Sequence, residues 1–250
     1  MVRHVRLGVW GVGRIGSLHA SNIASSQRAK LVGVADPIRV RAKAIAARFG
    51  AHSYDSPTRM LRKERLDGVI IATPTAQHAE HVKFATDEGV AAFLEKPIAL
   101  TMNEARKVVF AASRPGAKVM VGFNRRFDPS FRKTKENIVK GKIGKLLFVR
   151  TCARDPGAPP ADYIAASGGI FVDQCIHDID IALWFMNAEV ERVFAIGKVL
   201  TYPHLEKYGD YDNAVALLEF KGGGLGVIEG SRSSNYGYDL RTEVLGHRGA

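Results

Sequence analysis

Residues 5–19, VRLGVWGVGRIGSLH, constrain this chain more than any other stretch. A short apolar run from Val5 to Trp10 ends in Gly11-Val12-Gly13-Arg14-Ile15-Gly16, and a helix-compatible segment follows. Strand, glycine turn and helix in that order make the phosphate-binding end of a βαβ unit, and each glycine has a mechanical reason. Gly11 permits the tight turn out of the strand, Gly13 lets the backbone approach a pyrophosphate, and Gly16 lets helix and strand pack closely. The helix then directs free N–H groups and the positive end of its dipole at the phosphates. A second apolar run, residues 30–35, ends in Asp36, twenty residues past Gly16, where an acid accepts the hydroxyls of the adenosine ribose. Gly11, Gly13, Arg14, Ile15, Gly16 and Asp36 are therefore candidates for binding a dinucleotide. Asp36 would repel a 2′-phosphate, which predicts NAD, while Arg39 and Arg41 stand near enough in sequence to keep NADP open.

The rhythm of this first unit continues to about residue 124. A helical segment at 40–49 ends at Gly50, and short apolar runs at 52–54, 68–72, 91–94 and 118–122 alternate with helical pieces beginning near Ser56-Pro57, at 75–88 and at Thr101. Thr101 and Glu104 have the spacing of a capping box. Alternating strands and helices predict an α/β, doubly wound parallel sheet, a Rossmann arrangement. Beyond residue 124 the pattern changes. A helix at 129–139, a strand at 145–152, a proline-rich loop at 155–160, a helix at 171–185 and strand-like runs at 190–200, 214–220, 225–231 and 241–245 predict an α+β domain with an open mixed or antiparallel sheet. The expected division is thus residues 1–124, cofactor binding, and 125–250, substrate binding and oligomerisation. The Gly246–Gly249 turn reads as the entry to a further strand, so the second sheet is expected to be incomplete at its C-terminal end.

Composition narrows the partners. The chain has 250 residues and a formal charge of +11, with 19 Lys+Arg against 9 Asp+Glu in residues 1–124 and 17 against 16 thereafter. The excess sits with the glycine turn, where it favours an anionic dinucleotide. Arg39, Arg41, Lys43 and Arg48 fit the wet face of a helix, and no helix-turn-helix or aromatic RNA platform accompanies them, so nucleic acid is not expected as a partner. No apolar run approaches the roughly twenty residues of a membrane helix. Two cysteines, Cys152 and Cys175, make no disulfide framework, which points to a reducing, cytoplasmic setting.

In an open α/β sheet, ligands bind beyond the carboxyl ends of the strands. Thr73-Pro74-Thr75 and Glu95-Lys96-Pro97 close two of those strands, so Thr73, Pro74, Glu95 and Lys96 join the cofactor-lining candidates together with His78. For His78 and His81 on one helix face, however, a solvated surface is the ordinary expectation. Lys96 at the mouth of a buried strand can place a cation near a nicotinamide and a substrate oxygen. Asp173 and His177 are four residues apart and would share a face of a continuous helix. A carboxylate one turn from an imidazole suits a general base, and equally a core histidine bonded to its neighbour. No cysteine or histidine set has metal-ligand spacing, and no metal is expected.

Taken together, residues 11–16, Glu95-Lys96-Pro97, residues 122–127 (GFNRRF) and Gly169…Asp173…His177 resemble the Gfo/Idh/MocA oxidoreductases. Residues 154–160 and 236–239 are similar to the branch of that family that acts on inositols. The resemblance implies NAD(P)-dependent oxidation of a hydroxyl of a cyclic polyol or sugar, and dimers or tetramers built through the C-terminal sheet. It places Lys96, Asp173 and His177 on the family's catalytic lysine, aspartate and histidine, and Asn124, Arg125, Asp155 and Tyr236 in its sugar pocket. A dinucleotide-binding regulator on the same fold, or a dehydrogenase of another sugar or a dihydrodiol, are the alternatives.

Overall fold

The computed structural model describes residues 3–250, which divide into two compact units between Gly122 and Phe123. In the first, β1 (Val5–Trp10), α1 (Arg14–Ala24), β2 (Ala29–Ala35), α2 (Arg39–Phe49), β3 (His52–Tyr54), α3 (Pro57–Lys63), β4 (Gly68–Ile71), α4 (His78–Asp87), β5 (Ala91–Leu94), α5 (Met102–Ala112) and β6 (Val119–Val121) follow one another. The six strands form one parallel sheet in the order β3-β2-β1-β4-β5-β6. Two apolar layers cover it. Val9, Ala20, Ile23, Leu31 and Val34 pack on one side, and Trp10, Met60, Ile71, Val82 and Leu94 on the other. The Thr101–Glu104 capping box is formed, and the expected helix at 75–88 begins as a 3-10 turn, Thr75–Gln77, before α4.

The register of this sheet sets what its edge can present. Ala35, Trp10, Ile71 and Leu94 pair in a single row across the four central strands. One residue further on, the amides of Gly11, Ala72 and Glu95 each still donate to the carbonyl of the neighbouring strand, to Ala35, Trp10 and Ile71 respectively. The glycine turn, Asp36, Thr73-Pro74 and Glu95-Lys96 therefore leave the sheet at one edge, on either side of the point between β1 and β4 where the strand order reverses.

The second unit contains α6 (Pro129–Val139), β7 (Leu146–Arg154), α7 (Ala161–Ser167), α8 (Ile170–Asp173), α9 (Ile176–Met186), β8 (Val190–Lys198), β9 (Asn213–Phe220), β10 (Gly224–Ser231) and β11 (Asp239–Gly246). Its sheet runs β11-β7-β10-β9-β8, with β7 and β10 parallel and the other pairs antiparallel. One face packs through Val149, Ala216, Leu218, Phe220 and Ile228 on Ile181, Ala182 and Phe185 of α9. The other face leaves Phe194, Ile196, Leu217 and Leu225 exposed.

The helix expected at 171–185 is broken in two, and its sequence hides the break. The Cys175 amide reaches back to the Ile170 carbonyl, closing α8 after a single turn, and α9 starts afresh from the Cys175 carbonyl. The Gln174 side chain holds the break open. Buried between elements, its Nε2 donates to the carbonyls of Ala153 at 3.1 Å and Ser231 at 2.9 Å, at the ends of the parallel pair β7 and β10. Asp173 and His177 thus lie on separate helices, and simple i,i+4 geometry does not relate them. Among the described residues, no helix is long and apolar enough to cross a membrane.

The loop between β8 and β9 depends on one carboxylate. Fully buried Asp212 accepts the amides of Leu200, Thr201 and Tyr202, with 2.7 Å to the last two. Burial acts to raise its pKa, and these amide donors outweigh it, so the carboxyl titrates below its ordinary value of 3.8. The stability it contributes is complete above that ordinary value and is lost as pH falls through the lower folded one. Asp212→Asn should therefore lower the urea midpoint at pH 7, and the gap to the native chain should close in strongly acidic solution.

Candidate active site

The first unit carries a cradle with the shape of a pyrophosphate site. Gly11 has φ +79°, and a Cβ there would stand 2.6 Å from the Ala72 carbonyl oxygen; at Gly16 it would stand 1.8 Å from the Gly11 carbonyl oxygen. Both glycines are enforced by backbone, the one by turn and strand, the other by the approach of α1 to the turn. Gly13 differs, because a Cβ there would meet no protein atom within 4 Å. The space beside it is open. No side chain caps the first turn of α1, at Arg14, Ile15 and Gly16, and no acidic residue lies in it, so its amides face that space unspent.

Asp36 braces this cradle. Its carboxylate accepts the Val12 amide at 3.0 Å and the Ile38 amide at 2.9 Å, tying the glycine turn to the end of β2. Each oxygen retains acceptor capacity for a ribose hydroxyl. The two neighbouring arginines diverge. Arg41 lies 3.4 Å from Asp36, and Arg39 turns to Asp55.

Glu95 and Lys96 leave β5 beside histidines. Glu95 pairs with His19 of α1 at 2.6 Å and also accepts the Lys96 amide at 3.2 Å. His78, expected at a solvated surface or against the cofactor, is instead 1 % exposed. Its Nδ1 lies 2.8 Å from the Pro97 carbonyl and its Nε2 3.0 Å from the Thr73 carbonyl, which leaves neither nitrogen for a ligand. Burial pushes its pKa below the ordinary histidine value. His81 also turns inward, edge-on to Trp10 and bonded to the Thr73 hydroxyl. The reason is the packing of α4 under β4 and β5, which the spacing of two histidines does not encode.

The second unit gathers carboxylates around buried guanidinium groups. Asp173, at the end of α8, accepts the Tyr163 hydroxyl at 2.7 Å. His177, near the start of α9, meets Phe123 edge-on, with ring centroids 6.3 Å apart. Asp155 follows β7, where burial first, and the charge of Asp173 second, raise its pKa. Arg125 binds fully buried Asp178 at 2.7 Å, and Arg126 binds Asp180 through two bonds of 2.7 and 2.8 Å. These pairs fasten the 3-10 turn Asn124–Phe127 to α9, so Arg125 has a structural partner, while Asn124 at the start of that turn is exposed. Burial raises the Asp178 pKa despite Arg125.

Tyr236 lies on the turn whose Ser234 amide donates to the Asp155 carbonyl. It is 69 % exposed, with its hydroxyl donating to Asp239 at 3.0 Å and accepting from Arg154 at 3.1 Å. Tyr163, Asp210 and Arg232 went unmarked in the sequence, and Gln174 and Asp178 stood in the 171–180 stretch without a role. They belong to no spaced motif, and only burial and pairing single them out. Among the described residues, no group of three or more His, Cys, Asp or Glu is placed to hold a metal ion.

A parallel doubly wound sheet with an open phosphate cradle at its strand-end edge defines a dinucleotide-binding class of protein, and comparison with known proteins agrees. Residues 5–123 match the Gfo/Idh/MocA oxidoreductase family with its NAD-binding Rossmann fold, and residues 131–250 match the C-terminal domain of the same family. The chain belongs to this family. It is 41% identical to scyllo-inositol 2-dehydrogenase (NAD(+)) of Bacillus subtilis over 100% of this chain and 74% of that protein. It is 40% identical to myo-inositol 2-dehydrogenase of Thermotoga maritima over 98% and 74%. The structure of scyllo-inositol dehydrogenase from Lactobacillus casei, solved with NAD(H) and scyllo-inositol bound, superposes with a TM-score of 0.91 at 31% identity, covering 99% of this chain and 75% of that one.

The cradle geometry separates two glycines experimentally. Gly11→Ala should lower the melting temperature of the ligand-free protein, because its Cβ meets backbone. Gly13→Ala should melt like the native chain and yet bind NADH more weakly in a fluorescence titration, because its methyl group enters the open space alone.

Proposed function

We propose that this protein is an NAD-dependent dehydrogenase that oxidises a secondary hydroxyl of an inositol-type cyclic polyol. The observation that carries the reading is the presence of Lys96, Asp173 and His177 in a chain 41% identical, along its whole length, to an enzyme named for this chemistry. The unit ending at Gly122 acts as the cofactor domain and the unit from Phe123 to Ala250 as the substrate domain, two residues earlier than the expected boundary at 124. Gly11, Gly13, Arg14, Ile15 and Gly16 hold the pyrophosphate, Asp36 the adenosine ribose, and Thr73, Pro74 and Glu95 line the same strand-end edge. Bound NAD supplies the hydride acceptor.

The chain's own groups handle the proton and the charge. His177 takes the hydroxyl proton, and Asp173 orients the ring and stabilises the imidazolium that results. Lys96 stabilises negative charge developing on the substrate oxygen. Asp155, raised by burial, and Asn124 offer hydrogen bonds to further hydroxyls, and Arg125 and Tyr236 line the same pocket. The exposed apolar residues Phe194, Ile196, Leu217 and Leu225 on the open sheet face support assembly of identical chains through that sheet. Cys152 and Cys175, both buried and free, suit a reducing cytoplasm.

NADH formation should appear with a panel of inositols and should be faster with NAD than with NADP. His177→Ala should reduce kcat by about 10² to 10⁴. Absence of turnover with every inositol and every aldose tested, alongside tight NAD binding, would replace this reading by that of a dinucleotide-binding regulator; turnover with an aldose alone would replace it by a dehydrogenase of another sugar.

A further inference from the structure

Arg232 is the most deeply buried cation of the second unit, with a side chain that is 0% exposed. One of its nitrogens, Nη1, bonds to Asp210 Oδ2. The other, Nη2, lies 3.7 Å from Asp173 Oδ2, and Nη2 and Nε have no hydrogen-bond partner. Asp210 in turn accepts the amides of Ile170 and Tyr211, both at 2.7 Å, through its Oδ1. Ile170 opens α8 and Asp173 closes it, so Asp210 holds the start of this one-turn helix while the guanidinium faces its end. The segment leaves no slack, since Gly169 has φ +84° and a Cβ there would stand 3.1 Å from Asp210 Oδ1.

We propose that Arg232, fixed by Asp210, is a positioning residue that holds the Asp173 carboxylate in its orientation against the Tyr163 hydroxyl. The inference rests on the role for Asp173 stated above. Its physical basis is the asymmetry of buried charge. Where stability alone is required, well-packed apolar side chains serve as well as a buried ion pair or better. A pair with an unspent donor directed at a third carboxylate acts on that carboxylate. Half-buried Asp155 and buried Asp173 are like charges that act on one another, and Arg232 is a cation that acts on both. Without it, Asp173 would lose the guanidinium that faces its Oδ2, while the like charge of Asp155 would remain.

The decisive variant combines Arg232→Met with Asp210→Asn. Asparagine keeps an oxygen for the Ile170 and Tyr211 amides, and the combination removes both charges without leaving one unpaired. Arg232→Met alone should melt well below the native protein, and the combination should recover much of that loss. A purely structural pair would recover kcat with it. The proposal instead expects kcat in the combined variant to stay about 10–100-fold low, the scale of a misplaced reacting group, with KM for NAD unchanged and partial rescue by Arg232→Lys. The crystal structure of the combined variant should show Asp173 withdrawn from Tyr163. Asp173 still at hydrogen-bond distance from that hydroxyl would overturn the proposal, whatever the activity. If Asp173 is displaced and kcat is native, the catalytic reading of Asp173 fails and the positioning pair stands. Should methionine at this site prevent folding, Arg232→Gln with Asp210→Asn supports the same comparison.

Discussion

The ligand-facing side of the N-terminal unit depends on a row of four paired residues, Ala35, Trp10, Ile71 and Leu94. Parallel strands in register must end together, and each loop that follows must leave from the same edge. That is how Asp36, Gly11, Thr73 and Lys96, far apart in the chain, come to share one side of a sheet. The close backbone contact of Gly16 with Gly11 then brings the uncapped start of α1 to that edge. A shift of one residue in β1 would move the turn, reverse Val9 and Trp10 between the two apolar layers, and separate the cradle from its acid.

The C-terminal unit works by a different physics. Its sheet supplies an apolar floor, and loops and short helices are fastened over it by charged pairs: Arg125 with Asp178, Arg126 with Asp180, Arg232 with Asp210. Burying ions is costly, and each of these charges has a partner of opposite sign to offset the cost. Such a network has little tolerance for movement. The amides of Ile170 and Tyr211 on Asp210 anchor the start of α8, so a helix of a single turn has a fixed beginning.

Much of the first unit was legible in the sequence because its signals are local. Glycines at 11, 13 and 16, an acid at the next strand end and continuous apolar strands each follow from short-range geometry. The second unit was legible as alternating strands and a core helix, and less so in detail. Its helix at 171–185 looks continuous by composition, and the break is made by Gln174 bonding to carbonyls of β7 and β10. Residues 161–167 lay hidden behind a proline-rich loop. His78 and His81 read as a wet face because helical spacing says which residues share a side, and nothing about what that side meets.

By itself the sequence determined where strands turn into helices, which turn could accept phosphates, which family the motifs resemble, and which acid, lysine and histidine were candidates for chemistry. These depend on backbone sterics and periodicity, which act within a few residues. The tertiary structure decided what each candidate touches: Asp36 bracing the turn, His78 closed between two carbonyls, Tyr236 drawn to Arg154 and Asp239, Asp173 between Tyr163 and a buried arginine. Those outcomes depend on desolvation and charge pairing between segments up to 82 residues apart in the chain. Such energies exist only once burial has removed the water, and no local pattern announces them.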